Sequence, residues 1–152
     1  MKIIDCGYGH DESLLDAILQ LPTFAHVATL SKAGPRHSPV WFLWEDGAVW
    51  IIANEKDTLW KRIRDDPRAA IGIVDFKLPA GRVRHVGMRG AATVQSWDRA
   101  RAARLLSRYL GPDQSRWEDR FKFALDDNSN RWIRFEAETV VVRDQSYSFS
   151  RT

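Results

Sequence analysis

"HSPVWFLWEDGAVWIIAN", residues 37–54, decides the fold. Asp46-Gly47 sits between two apolar runs, and an Asp-Gly pair in that setting is a strong hairpin signal. Successive residues of a strand point to opposite faces. Ser38, Val40, Phe42 and Trp44 therefore share one face, and Trp41 lies on the other. Both faces are apolar, so the strand is expected to be buried on both sides. One side would be the interior of a barrel. The other would meet a partner, a ligand or more of the protein's own core.

Upstream, "DESLLDAILQLP" reads as a short helix capped by Asp11 or Ser13 and stopped by Pro22. "TFAHVATLS" follows as a strand, and "KAGP" as a turn in which Gly34 supplies the positive φ. Downstream, "DTLWKRIRDDP" predicts a helix capped by Asp57 or Thr58, with Leu59 and Ile63 on its apolar face and Pro67 as its stop. "RAAIGIVDF" and "GRVRHVGMRGAATVQS" are strands, the second with a bulge expected at Gly87 or Gly90. "SWDRARAARLLSRYLGP" is the clearest helix, with Ser96 as its cap and Asp98 favouring its positive end. "SRWEDRFKFAL" predicts a further helix. "NRWIRFEAETVVVRD" gives a last strand or pair of strands, bent at Glu136–Glu138. Five or six strands with hairpin connections and inserted helices imply an α+β fold: one antiparallel barrel with helical covers.

The 152 residues suffice for one domain. A net charge of +3 is too small for a dedicated nucleic-acid binder. Cys6 is the only cysteine, so no internal disulfide forms. The N-terminus lacks the features of a signal peptide, and no stretch is apolar enough to span a membrane; a reducing cytoplasm is the expected compartment. His10, His26, His37 and His85 show no metal-ligand spacing, and no nucleophile elbow, Walker loop or dinucleotide fingerprint occurs. No metal site is expected, and no catalytic residue stands out. The helix start after Asn54 gathers Lys56, Thr58 and Lys61 around free N–H groups, a pattern suited to a phosphate.

The order of pieces across residues 23–75 resembles the pyridoxamine 5′-phosphate oxidase-like superfamily of flavin-binding split barrels. The pieces are Ala28-Thr29-Leu30, Gly34-Pro35, Ser38-Pro39-Val40-Trp41-Phe42, Asp46-Gly47, Asn54 and Asp66-Pro67-Arg68. The resemblance implies a single flavin mononucleotide (FMN)-binding domain over residues 1–152. Its family core is about 23–95, followed by C-terminal helices and strands at 96–152. It implies a homodimer with the cofactor between subunits. Arg36, His37, Ser38, Pro39, Val40 and Trp41 would contact phosphate, ribityl chain and ring edge, and Ile52, Ala53 and Asn54 would line the next strand. Thr58 and Lys61 would reach the phosphate, and His85 stands where the family often has a glutamine touching the ring. The family commonly carries Arg-Lys or Ser-x-Lys where this chain has Thr58-Leu59, with Lys56 and Lys61 the nearest lysines, and the C-terminal Arg-x-His of the true oxidases is missing. Vitamin B6 synthesis is therefore not expected.

The implied activity is hydride transfer through flavin to an unnamed small redox substrate. The alternatives are a deazaflavin- or haem-binding relative and a flavin carrier or sensor without catalysis. A barrel binding single-stranded nucleic acid ranks last, because most aromatics lie in apolar runs and not among exposed basic residues.

Overall fold

The computed structural model describes residues 1–4 and 11–149, so Cys6 and His10 lie outside the described residues. The strands are β1 (Lys2–Ile3), β2 (Ala25–Ser31), β3 (Gly34–Val40), β4 (Leu43–Glu45), β5 (Ala48–Asn54), β6 (Arg68–Lys77), β7 (Arg82–Gln95) and β8 (Asn130–Asp144). The helices are α1 (Glu12–Leu19), α2 (Thr58–Asp65), α3 (Arg99–Leu110) and α4 (Asp119–Ala124). The strands form one sheet in the order β3-β2-β6-β7-β8-β5-β4, with β1 added in parallel to β8 and every other pairing antiparallel. The eight strands exceed the five or six expected, because the two-residue β1 carries no pattern and the long second strand is interrupted at Trp41-Phe42.

That interruption sets the architecture. β3 and β4 adjoin in the chain yet form opposite edges of the sheet, so the barrel is split between them. The hairpin from β4 to β5 turns through Asp46 (φ 53) and Gly47 (φ 68), and two successive left-handed residues make the tight turn that matches strand twist. β5 is the strand buried on both faces. The strand expected to be so, through Ser38, Val40, Phe42 and Trp44, is instead largely exposed in β3 and half-buried in β4, because both are edge strands. Val49, Ile51 and Ala53 enter the barrel interior with Ile71, Ile73, Met88 and Phe135, which α1 and α2 close with Ile18, Leu19, Leu59 and Ile63. Ala48 and Trp50 face the other way, into a second core with Trp132, Leu105, Leu106 and Trp117. The chain's own α3 supplies that second cover.

Local capping differs from expectation in detail. Asp11 caps α1 through the Ser13 N–H. Asp98, not Ser96, caps α3, its carboxylate accepting from the Arg101 N–H at 3.0 Å. The segment expected as one helix at 115–125 divides into a single 3₁₀ turn at Gln114–Arg116 and the short α4. β8 is continuous, and its bend is a bulge. Arg89 pairs with Thr139 and Gly90 with Ala137, which leaves Glu138 as the extra residue. The bulge thus lies on β8, opposite the expected Gly90. A Cβ at Gly90 would stand 2.0 Å from the Glu136 carbonyl oxygen. Glycine is needed there because backbone, which cannot move aside, occupies the space.

Gly90→Ala should cost about 1–3 kcal/mol in urea unfolding, the usual penalty of overpacking. Gly72→Ala, with nothing within 4 Å of the added methyl, should be near neutral by the same measurement.

Candidate functional site

The charged group with the most unusual setting is Arg62. It lies on α2 between Leu59 and Ile63 and is 9% exposed. Its guanidinium donates from Nε to the Thr29 hydroxyl at 2.7 Å, from Nη1 to the Thr58 hydroxyl at 2.9 Å, and from Nη2 to the Ser38 hydroxyl at 2.9 Å. Among the described residues no carboxylate forms an ion pair with it. Burial lowers its pKa first, and the like charge of Arg36 lowers it further. A buried ion without a counter-charge is costly. Three hydroxyls orient it but do not neutralise it, and a guanidinium has five N–H groups, so two remain for another acceptor.

The start of α2 adds donors. Asp57 stands at the N-cap, but its carboxylate accepts from the Asn54 N–H at 2.8 Å and gives the helix no side-chain cap. The first N–H groups of α2 therefore stay available, at the positive end of its dipole. Asn54 is tied to this turn, donating to the Ser129 hydroxyl at 2.7 Å and the Asn130 side-chain oxygen at 3.0 Å. Lys56 and Lys61 are exposed beside it.

The residues expected at the site fall into three places. Arg36 and Ser38 lie opposite Thr29 and Val27 in the register, on the face of β3 that meets α2, and they join Thr58 around Arg62. Val40 shares that face and packs on the barrel core. His37 and Pro39 point to the other face, and His85 lies on the outer side of β7. Trp41 and Ile52 belong to the second core. Trp41 stacks on Tyr109 with ring centroids 4.5 Å apart, and Ile52 pairs with Trp132 in register. Ala53 is in the barrel interior. Arg62 and Thr29 went unread in the sequence. The available signal was spacing: Arg62 follows Thr58 by one helical turn, on the side that Leu59 and Ile63 bury.

β3 is also a free edge. Pro35 and Pro39 lack an N–H, and a proline in a ladder turns its nitrogen away from the partner strand. Alternation gives the same outward direction to His37. The free edge therefore offers the His37 N–H among the carbonyls of Pro35, His37 and Pro39. Beyond that edge, the outer faces of β2, β6, β7 and β8 form a hollow of about 340 Å³ lined by strand residues alone, His26, Gly72, His85 and Gly87 among them.

The sequence model of pyridoxamine 5′-phosphate oxidase matches residues 12–144. This chain belongs to the pyridoxamine 5′-phosphate oxidase family. Among solved structures it is similar to a conserved hypothetical protein of Mycobacterium tuberculosis, at 21% identity and a TM-score of 0.76, covering 97% of this chain and 96% of that one. It is also similar to an F420 reductase, at 21% identity and a TM-score of 0.64, covering 90% and 98% of the two chains. A haem storage protein of Vibrio cholerae, HutZ, shares the fold at 12% identity and a TM-score of 0.66, covering 89% and 95%. No curated protein matches the chain.

Several other arginines have carboxylate partners. Arg101 pairs with Glu45 at 3.3 Å and Asp46 at 3.1 Å and lies 3.6 Å over the Trp50 ring, Arg104 pairs with Glu45 at 2.7 Å, and Arg99 with Asp126 at 2.7 Å. Arg99, Arg101 and Arg104 of α3 are thus neutralised by their own chain, in contrast to Arg62, whereas Arg108 of the same helix donates to the backbone carbonyls of Leu19 and Leu21. No described helix is long and apolar enough to cross a membrane. No group of three metal-binding side chains occurs among the described residues.

Inorganic phosphate should raise the melting temperature of the ligand-free protein. At ten times its dissociation constant the rise is about 3–6 °C. Arg62→Met should abolish most of that rise in the same melt.

Proposed function

We propose that this member of the pyridoxamine 5′-phosphate oxidase family is a redox protein holding a phosphorylated flavin-type cofactor, FMN in the first instance, at the seam between β3 and α2. The observation that carries this reading is the buried guanidinium of Arg62, oriented by three hydroxyls and paired with no carboxylate among the described residues. A phosphate supplies the missing negative charge and accepts the remaining N–H donors. Arg36, Lys61 and the uncapped N–H groups of α2 add positive potential at the same place.

The free edge of β3 suits the other end of such a cofactor. A pyrimidine edge presents an N–H between two carbonyls, and the His37 N–H with its flanking carbonyls offers the complementary groups. When bound, a flavin accepts or gives a hydride. This chain's own residues bind the phosphate, align the ring on a rigid strand and keep water from its edge. No side chain at the seam is required as a general acid.

A second copy of the chain completes the reading. One edge strand leaves half of a planar ring open to water, and a homodimer with its seam at β3 closes it. A deazaflavin with the same phosphate is the alternative that Arg62 serves equally well. The names of the F420 reductase and the haem storage protein show that this fold accompanies more than one redox group. The assignment to this chain rests on Arg62.

The test is the small molecule released by denaturing the purified protein. A yellow preparation, absorbing near about 450 nm and releasing FMN by mass spectrometry, is the expected result. Bleaching on addition of NADH, NADPH or a reduced deazaflavin would distinguish an enzyme from a carrier. Release of haem, or no uptake of any added flavin or deazaflavin, would contradict the proposal.

A further inference from the structure

The described histidines gather on one face of the sheet. His26 on β2 and His37 on β3 place ring nitrogens Nδ1 and Nε2 3.1 Å apart, with their rings stacked at 5.2 Å. His26 and His85 line the same hollow. Its floor is a row across four strands, in which His26 pairs with Gly72, Gly72 with Gly87, and Gly87 with Val141. The next row runs through Ala28, Ala70, Arg89 and Thr139. Glycine and alanine leave the backbone open to close approach from outside.

We infer that this face seats a second copy of the chain, and that protonation of His26, His37 and His85 releases it. The inference rests on the paired-subunit reading above and adds its regulation. Prolines 35 and 39 block pairing of β3 edge to edge, so two copies that meet on this side of the sheet do so through its face. The face is self-complementary in charge. Arg89 and Glu138 line one hollow of about 440 Å³, yet among the described residues no ion pair engages either. Under a twofold axis each can meet its opposite from the other copy.

The charged groups facing the histidines are almost all basic. β6 brings Arg68, already paired with Asp66, β7 brings Arg89, and β8 brings Arg143 and Glu138. Burial, and then Arg143, hold the His85 pKa below its ordinary value even in one copy. In the His26–His37 contact one ring must donate and the other accept, so two fully protonated rings cannot keep the bond. A twofold doubles this set of histidines across the contact, where added positive charges repel. The sign follows: the pair binds fewer protons than the separated chains. Association is therefore strongest above the ordinary histidine range and weakens as pH falls through it.

Sedimentation velocity on the purified protein at micromolar concentration and fixed ionic strength tests this. The wild type should be dimeric at pH 7.5, with its dissociation constant rising at least about tenfold in all by pH 5.5. The triple variant His26→Gln/His37→Gln/His85→Gln should stay dimeric at both values. The single variant His85→Gln, with circular dichroism at each pH, should show a reduced pH response if the triple variant fails to fold. A wild type dimeric at both pH values would overturn the gate and leave the paired reading standing. A wild type monomeric at both would overturn the pairing itself. Variants that dissociate like the wild type would overturn the role of these histidines.

Discussion

A guanidinium buried without a carboxylate is the constraint around which the site is organised. Arg62 reaches from α2 into the angle between β2 and β3, where the hydroxyls of Thr29, Ser38 and Thr58 fix its orientation. Hydroxyls can hold a cation in one rotamer but cannot compensate its charge. The local fold serves this arrangement. Asn54 and Asp57 set the turn into α2, Leu59 and Ile63 anchor the helix to the barrel, and the β2–β3 register presents Thr29 beside Ser38's face. The contrast with Arg84 is informative. That arginine is bound to the buried carboxylate of Asp75, a closed structural pair. Arg62 is the open one.

The remaining architecture isolates this seam from the rest of the chain. Trp50 and Trp132 meet edge to face in the second core, which α3 covers, so the two-faced apolar hairpin is satisfied within one subunit on that side. Trp41 is part of that core, stacked between Tyr109 and Phe121. The glycine-floored outer face of β2, β6, β7 and β8 is left without a helix. Rigid cores on two sides and open backbone on a third are the conditions under which an edge strand can align a ligand.

The strands, the main helices and the Asp46-Gly47 turn were legible because each rests on a short-range rule: alternation, a stop at proline, or a left-handed turn. The split at Trp41-Phe42 was not, because the run stays apolar across it and Phe42 alone is fully buried. Ser96 lost the cap to Asp98 through a competition between two good capping residues that composition cannot settle. Of the site, Thr58 and Ser38 were legible from the family pattern. Arg62 was not, since a basic residue on an amphipathic helix ordinarily reads as solvated. Only the tertiary contact with Thr29, 33 positions away in the chain, shows it buried. Where the resemblance implies Arg-Lys or Ser-x-Lys this chain has Thr58-Leu59, and its buried cation, Arg62, lies one turn further along α2, where we propose that it takes the phosphate.

Comparison of FMN with riboflavin tests that claim most directly, because the two differ only in the phosphate. Titration of the ligand-free protein should give a dissociation constant at least about 100-fold weaker for riboflavin, the equivalent of one or two lost charge-assisted hydrogen bonds. Equal affinities for the two would contradict it, because the phosphate would then contribute nothing and Arg62 would not be its partner.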